Sequence, residues 1–352
     1  MRRKSRTFDK AAITSNGIHL VGSVPLEDSG AVFGCVCGLL GERITRLPDG
    51  ETGARTNWIA WQTQVFAGMP QFESEIVASG YIKRPKYRLK PGVDAAALRF
   101  PALGYAAAAK ASYAEFARQK AAGDIPARVR FQVCLPTPLA PVHSYVFPES
   151  MAAIEGPYER ALLDDLADIA QSIPHGELAI QWDAAIEFAL LEGVMPTCYD
   201  EPEAAILERL VRWGDAVPGD IDMGYHLCYG DSGHKHFMDP VDAGKLVMVA
   251  NHLAAHLARP LNWLHLPVPR ARDDDAYFAP LTALTLASAT ELYLGLIHTT
   301  DGLEGARRRI AAARKFCERF GIGTECGFGR RPPESIPALL ELHAALSGQI
   351  LK

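Results

Sequence analysis

His226 and Cys228 are separated by one residue and form the sharpest local signal in the sequence. On an extended strand, side chains at i and i+2 project to the same face and can share one metal ion. An imidazole beside a soft thiolate suits zinc. A second thiol, Cys326, stands in Gly323-Thr324-Glu325-Cys326-Gly327-Phe328-Gly329, where the glycines let backbone and ligand approach closely. A closed sheet that brings the fifth and eighth strands to one pocket would make these three residues a single site.

The elements that must position them follow from the spacing of apolar residues. Short apolar runs at 18–23, 43–47, 128–135, 177–183, 221–228, 261–267, 291–298 and 321–326 read as strands. Helical periodicity between the later ones covers 150–172, 201–214, 240–257 and 303–319. This alternation predicts an α/β chain folded as a single (β/α)8 TIM barrel over residues 13–352. The unusual polar residues then fall at strand ends: Ser23, Asp49, Glu51, Thr137, Asp183, His226, Cys228, His298 and Cys326, with His265 on the sixth strand. In such a barrel those ends share one mouth, and active sites are built there.

One stretch departs from the alternation. Residues 67–100 form an excursion after the second strand, carrying the basic, aromatic and Pro-bounded run Tyr81 to Pro91. It reads either as a lid over an anionic or aromatic substrate or as a solvated loop. His234 and His236 follow the fifth strand and His298 closes the seventh. Each is a candidate general acid or base, because an unperturbed imidazole titrates near pH 6.5. Tyr225, Tyr229, Trp182 and Trp263 flank the ligands, either as aromatic pocket walls or as barrel filling.

Composition narrows the partners. The chain has 352 residues, 48% of them hydrophobic, and a formal charge of −5, so it carries no footprint for nucleic acid or an anionic membrane. No run of about 18 apolar residues occurs. The expected partner is a small molecule. Residues 1–12 read as a disordered basic tail of a cytoplasmic protein, since Arg2, Arg3, Lys4 and Arg6 precede no apolar core. Seven cysteines without regular spacing argue against a disulfide framework. Cys35, Cys37, Cys134, Cys198 and Cys317 read as packing residues.

The combination of His226-x-Cys228 with Glu325-Cys326-Gly327-Phe328-Gly329 resembles the zinc motif of cobalamin-independent methionine synthase and its relatives. The likeness extends over most of the chain, through Val21-Gly22-Ser23-Val24-Pro25, through Asp49-Gly50-Glu51 with Arg55, and through Ile180-Gln181-Trp182-Asp183. It implies that His226, Cys228 and Cys326 hold Zn2+, that Glu51 and Asp183 hold an amino-acid substrate, and that Ser23 lines its pocket. It implies a methyl or alkyl transferase that activates a thiol. Two features differ from the family. His265 stands where the family has a glutamate ligand, and neutral ligation there makes the metal a stronger Lewis acid. Leu135-Pro136-Thr137-Pro138-Leu139 replaces a Thr-Gly-Pro turn. The alkyl donor therefore stays open among a corrinoid protein, a folate, an epoxide and a methoxylated aromatic compound. The alternatives are a zinc-dependent lyase or hydrolase that polarises a substrate oxygen, with His298 or a carboxylate as base, and a non-enzymatic barrel with a structural metal.

Overall fold

The apolar runs of the sequence become strands because a parallel strand covered on both faces must be apolar almost throughout. A computed structural model describes residues 17–79, 82–231 and 235–347. The basic tail at 1–12 and His234 lie outside the described residues. Nine strands occur among the described residues: β1 (Arg46–Pro48), β2 (Phe72–Ser79), β3 (Ile82–Leu89), β4 (Arg130–Pro136), β5 (Leu178–Ala184), β6 (Asp222–Leu227), β7 (Trp263–Pro267), β8 (Glu291–Ile297) and β9 (Gly321–Thr324). β1 and β4 to β9 form one sheet in chain order, with every pairing parallel. The register sets Asp183 of β5 opposite His226 of β6, and His226 opposite His265 of β7. Three polar side chains thus share one level of the sheet.

The run at 18–23 differs from its expected form. It makes isolated parallel bridges rather than a continuous ladder: Ile18 bridges both Ile44 and Ile322, and Ser23 bridges Gly50. The backbone N–H of His19 donates to Ile322 at 2.9 Å, and that of Val24 donates to Gly50 at 2.8 Å. Both edges of the curled sheet therefore bond to this segment. Its neighbour β1 is only three residues long, which leaves a short ladder to extend.

Helices at Pro148–Ser172, Pro202–Asp215, Gly244–His256 and Gly302–Ala313 pack outside the sheet. The last one ends six residues before the expected 319, because the chain must turn through Lys315 and Phe316 to enter β9. Ser29–Leu40 begins where the Asp28 carboxylate accepts from the N–H of Ala31 at 2.8 Å. The sequence reading set no bounds for Tyr105–Ala122, which is alanine-rich and closed by left-handed Gly104 and Gly123. Cys198, expected to pack, is exposed. Among the described residues no helix is long and apolar enough to cross a membrane.

Between β1 and β4 the chain leaves the sheet, and β2 and β3 pair as an antiparallel hairpin. Tyr87 anchors the hairpin: its hydroxyl donates to the Thr63 carbonyl at 2.9 Å, and its ring stacks on Phe66 at 5.3 Å. Its carbonyl accepts from the N–H of Phe147 at 2.9 Å.

Candidate metal site and cavity

The end of β6 and the turn after β9 bring two thiols together. Cys228 Sγ and Cys326 Sγ are 4.0 Å apart, and each lies within 4.8 Å of a ring nitrogen of His226. His226 Nδ1 is 2.8 Å from His265 Nδ1, so one of the two nitrogens donates and the other accepts. This leaves His226 Nε2 buried without a partner among the described residues, a costly arrangement for a polar atom unless a ligand completes it. The Cys228 thiol and burial push the Cys326 thiol well above its ordinary range. Burial, followed by the charges of His265 and His236, keeps His226 well below its own. Two thiols and an imidazole with an orphaned nitrogen are a donor set that fits a soft divalent cation such as zinc.

His265 was expected as the fourth ligand and lies instead behind His226, outside the three-residue group. Burial lowers it to about 3, so it stays a neutral imidazole that orients its neighbour. Its level on β7 follows from the register, but which of two adjacent imidazoles reaches the thiols depends on strand curvature that the sequence does not express.

A cavity of about 610 Å³ opens beside this group and is lined by Ser23, Glu51, Asp183, His226, Cys228 and Cys326. Asp183 is buried and accepts from Gln181 Nε2 at 2.8 Å. Burial, and then the charge of Glu51, pushes Asp183 well above the ordinary carboxylate range. Glu51 rises to about 7, with burial outweighing the nearby Arg55. Two carboxyls with raised pKa values on one cavity wall favour sharing a proton or binding a cationic group. Glu51 and Trp58 both line the cavity, and both hold positive φ values, 49° and 48°. Side chains other than glycine rarely adopt that conformation, and such strain collects at functional sites.

The remaining candidates act at one remove. Asp49 accepts from the Glu51 N–H at 2.9 Å and from Arg55 Nη2 at 2.7 Å, so this pair fixes the turn that carries Glu51 and does not line the cavity. Tyr229, expected at the substrate, is buried, with its hydroxyl 2.8 Å from Glu192 Oε1. His298 is also set back from the cavity wall. Its Nε2 donates to the Val268 carbonyl at 2.9 Å, and its Nδ1 lies 3.5 Å from Glu325 Oε1. On the other side of Glu325, His236 Nε2 is 3.3 Å from Oε2, and His236 does line the cavity. Burial opposes the charge of Glu325, but the two imidazoles outweigh it and hold the carboxyl below its ordinary range. Ser23 binds the loop after β9: its Oγ accepts from Gly329 N at 3.1 Å, and a Cβ on Gly327 would meet that oxygen at 2.3 Å. Those two glycines are therefore required for the loop to close on Ser23.

Two contributors were missed by the sequence reading. Trp58 lines the cavity with Glu51 and Asp183, and its side chain opposes the rise of the Asp183 carboxyl. Glu187 is fully buried, accepts from Thr137 Oγ1 and is raised to about 7 by burial. A tryptophan in a turn carries no periodic signal. Glu187 offered one faint sign, as an acidic residue within the apolar run that follows Asp183.

No family model matches the sequence, and no curated protein matches it. Among solved structures, a B12-independent methionine synthase from Shewanella sp. W3-18-1, in complex with selenomethionine, superposes with a TM-score of 0.60 at 15% identity. The alignment covers 96% of this chain and 97% of that one. A structure described as a putative vitamin-B12 independent methionine synthase from Listeria monocytogenes gives a TM-score of 0.51 at 11% identity, over 95% and 98% of the two chains. At these identities the likeness establishes the fold.

Proposed function

We propose that this chain is a zinc-dependent methyl or alkyl transferase that activates a thiol substrate. The observation that carries this reading is the group of Cys228, Cys326 and the unpartnered nitrogen of buried His226, opening on a cavity large enough for two reactants. The shared fold with methionine synthase structures supports it. Zinc bound by these three residues supplies positive charge that keeps a substrate thiol ionised near neutral pH. Glu51 and Asp183 hold the ammonium group of an amino-acid thiol, since a bound cation lowers the cost of ionising both carboxyls. Selenomethionine in the Shewanella structure is an amino acid, in keeping with this assignment. Trp58 lines the cavity with the pair and excludes water, while His265 orients His226. His236, coupled through Glu325 to His298, is placed to move a proton at the cavity wall.

The same reading treats 18–23 as the first strand, which closes the seven-stranded sheet into a (β/α)8 barrel in a single domain. The bridges from Ile18 to both sheet edges support that assignment.

Elemental analysis of the wild type beside Cys326→Ser tests the proposal. About one zinc per chain is expected, lost in the variant together with alkyl transfer. A variant that keeps both overturns the assignment. X-ray absorption then separates the chemistries: a new zinc–sulfur contact on adding a thiol supports transfer, and its absence shifts the reading to a lyase or hydrolase.

A further inference from the structure

The hairpin carries four cations whose surroundings differ. Arg88 is neutralised by Glu73, Glu75 and Glu149 at 3.8, 3.2 and 3.3 Å. Lys86 Nζ donates to the Val146 carbonyl at 3.4 Å. Among the described residues Lys83 and Arg84 have neither kind of partner. They stand opposite Ala78 and Val77 in the hairpin register, so no carboxylate faces them across the strands. Both line the same cavity as Cys228 and Asp183, and Tyr145 lines it beside them. The charge of Arg84 bears directly on the Tyr145 phenol, whose hydroxyl also has no hydrogen-bond partner among the described residues.

We infer that Arg84, Lys83 and Tyr145 form an anion subsite for the second reactant, a molecule with an apolar or aromatic body and a carboxylate or phosphate group. This deepens the proposed transfer function and rests on it for the assignment of the ligand as alkyl donor. A half-buried guanidinium normally has an acidic partner, and Arg84 is free to offer its planar donors to an anion. Glu51 and Asp183 form an acidic wall of the cavity, the hairpin brings Lys83 and Arg84 to it, and Trp58, Ile186, Met195 and Phe237 provide apolar surface. Lys235 and Arg330 line it as well, and Arg330 is held by Asp231 at 3.3 Å. An amino-acid thiol suits the acidic wall and would leave much of about 610 Å³ unfilled. The hairpin is a firm support for such a subsite, because Tyr87, three residues beyond Arg84, is tied to Thr63, Phe66 and Phe147.

The test is calorimetric titration of the full zinc-loaded chain with 4-methoxybenzoate, phenyl phosphate and neutral 4-methoxybenzamide. Both or one of the anions should bind roughly tenfold or more tightly than the amide, as charge-assisted hydrogen bonds require. The better anion identifies the group. Arg84→Gln should remove that advantage and leave amide binding unchanged, and Arg84→Lys should restore part of it. Cys228→Ser, which removes the metal site, should retain anion binding. The inference is overturned if no anion binds better than the amide, including the case of no binding, or if Arg84→Gln changes nothing. It is equally overturned if Cys228→Ser abolishes the anion preference. Loss of zinc transfer chemistry with anion binding intact would remove the proposed reaction and leave the subsite standing.

Discussion

The two ends of the strands treat buried polarity in opposite ways. At their N-terminal ends Arg46 places its charge on Glu291 at 2.5 Å, on the Tyr293 hydroxyl at 2.9 Å, and over the Trp263 ring at 4.2 Å. Charge and countercharge meet there, and the residues fill the floor of the curled sheet. At the C-terminal ends Asp183 and Glu51 are raised acids on one wall, and His226 keeps an orphaned nitrogen. One end pairs its charges internally, although Arg46 Nε lacks a hydrogen-bond partner among the described residues. The other leaves its polar groups open to be completed by something bound, at a cost in stability that function explains.

Substitutions at the two ends should therefore separate stability from function. The largest effect is expected for Arg46→Ala, which strands Glu291 and the Tyr293 hydroxyl. It should lower unfolding free energy by about 2–3 kcal/mol, less than for a fully enclosed pair because Glu291 is a third exposed. Urea denaturation reads this directly, and zinc content should be unchanged. A stable Arg46→Ala protein that had lost zinc would break the division between the ends.

Next comes Glu51→Gln, which sharpens the contrast through pH. Glu51 has a folded-state value of about 7 against an ordinary 4.5. A raised carboxyl contributes stability that is complete below about 4.5 and lost as the pH rises through about 7. Wild-type stability should fall across that window, and Glu51→Gln should flatten the fall by about 1–2 kcal/mol, after discounting a side chain that is partly exposed. Equal slopes in both proteins would place the titration elsewhere. The smallest effect is expected for Tyr229→Phe, which deletes the hydrogen bond to Glu192 and should cost about 1 kcal/mol. Its KM and kcat should not move, and a changed KM would return Tyr229 to the substrate.

Strand positions were legible because β4 to β9 are apolar runs bounded by turns, and the polar residues closing them stand out against that background. His226, Cys228, Cys326, Asp183 and Glu51 were found in this way, and the structure sets all five on one cavity. The hairpin was not legible as strands. Pro85 lies inside β3, and a proline within a run argues against pairing. Lys83 beside Arg84 also breaks the two-residue alternation, which survives only over Lys86-Tyr87-Arg88-Leu89. The division of labour between His226 and His265 was equally hidden, because both stand at the same level of neighbouring strands. Trp58 belongs to a turn whose course is fixed by Asp49 and Arg55, and turns of that kind are read from geometry rather than from pattern.

The latch between Ser23 and Gly329 spans 306 positions, and Cys326 lies 98 positions after Cys228. During synthesis the first thiol leaves the ribosome on the order of 5–20 s before the second, at ~5–20 residues per second. Throughout that interval no nascent chain can own the whole ligand set, and the segment at 17–24 still lacks its partner edge in β9. The proposed ligand set is thus complete only once β9 and the turn after it have been made, 98 positions after its first thiol.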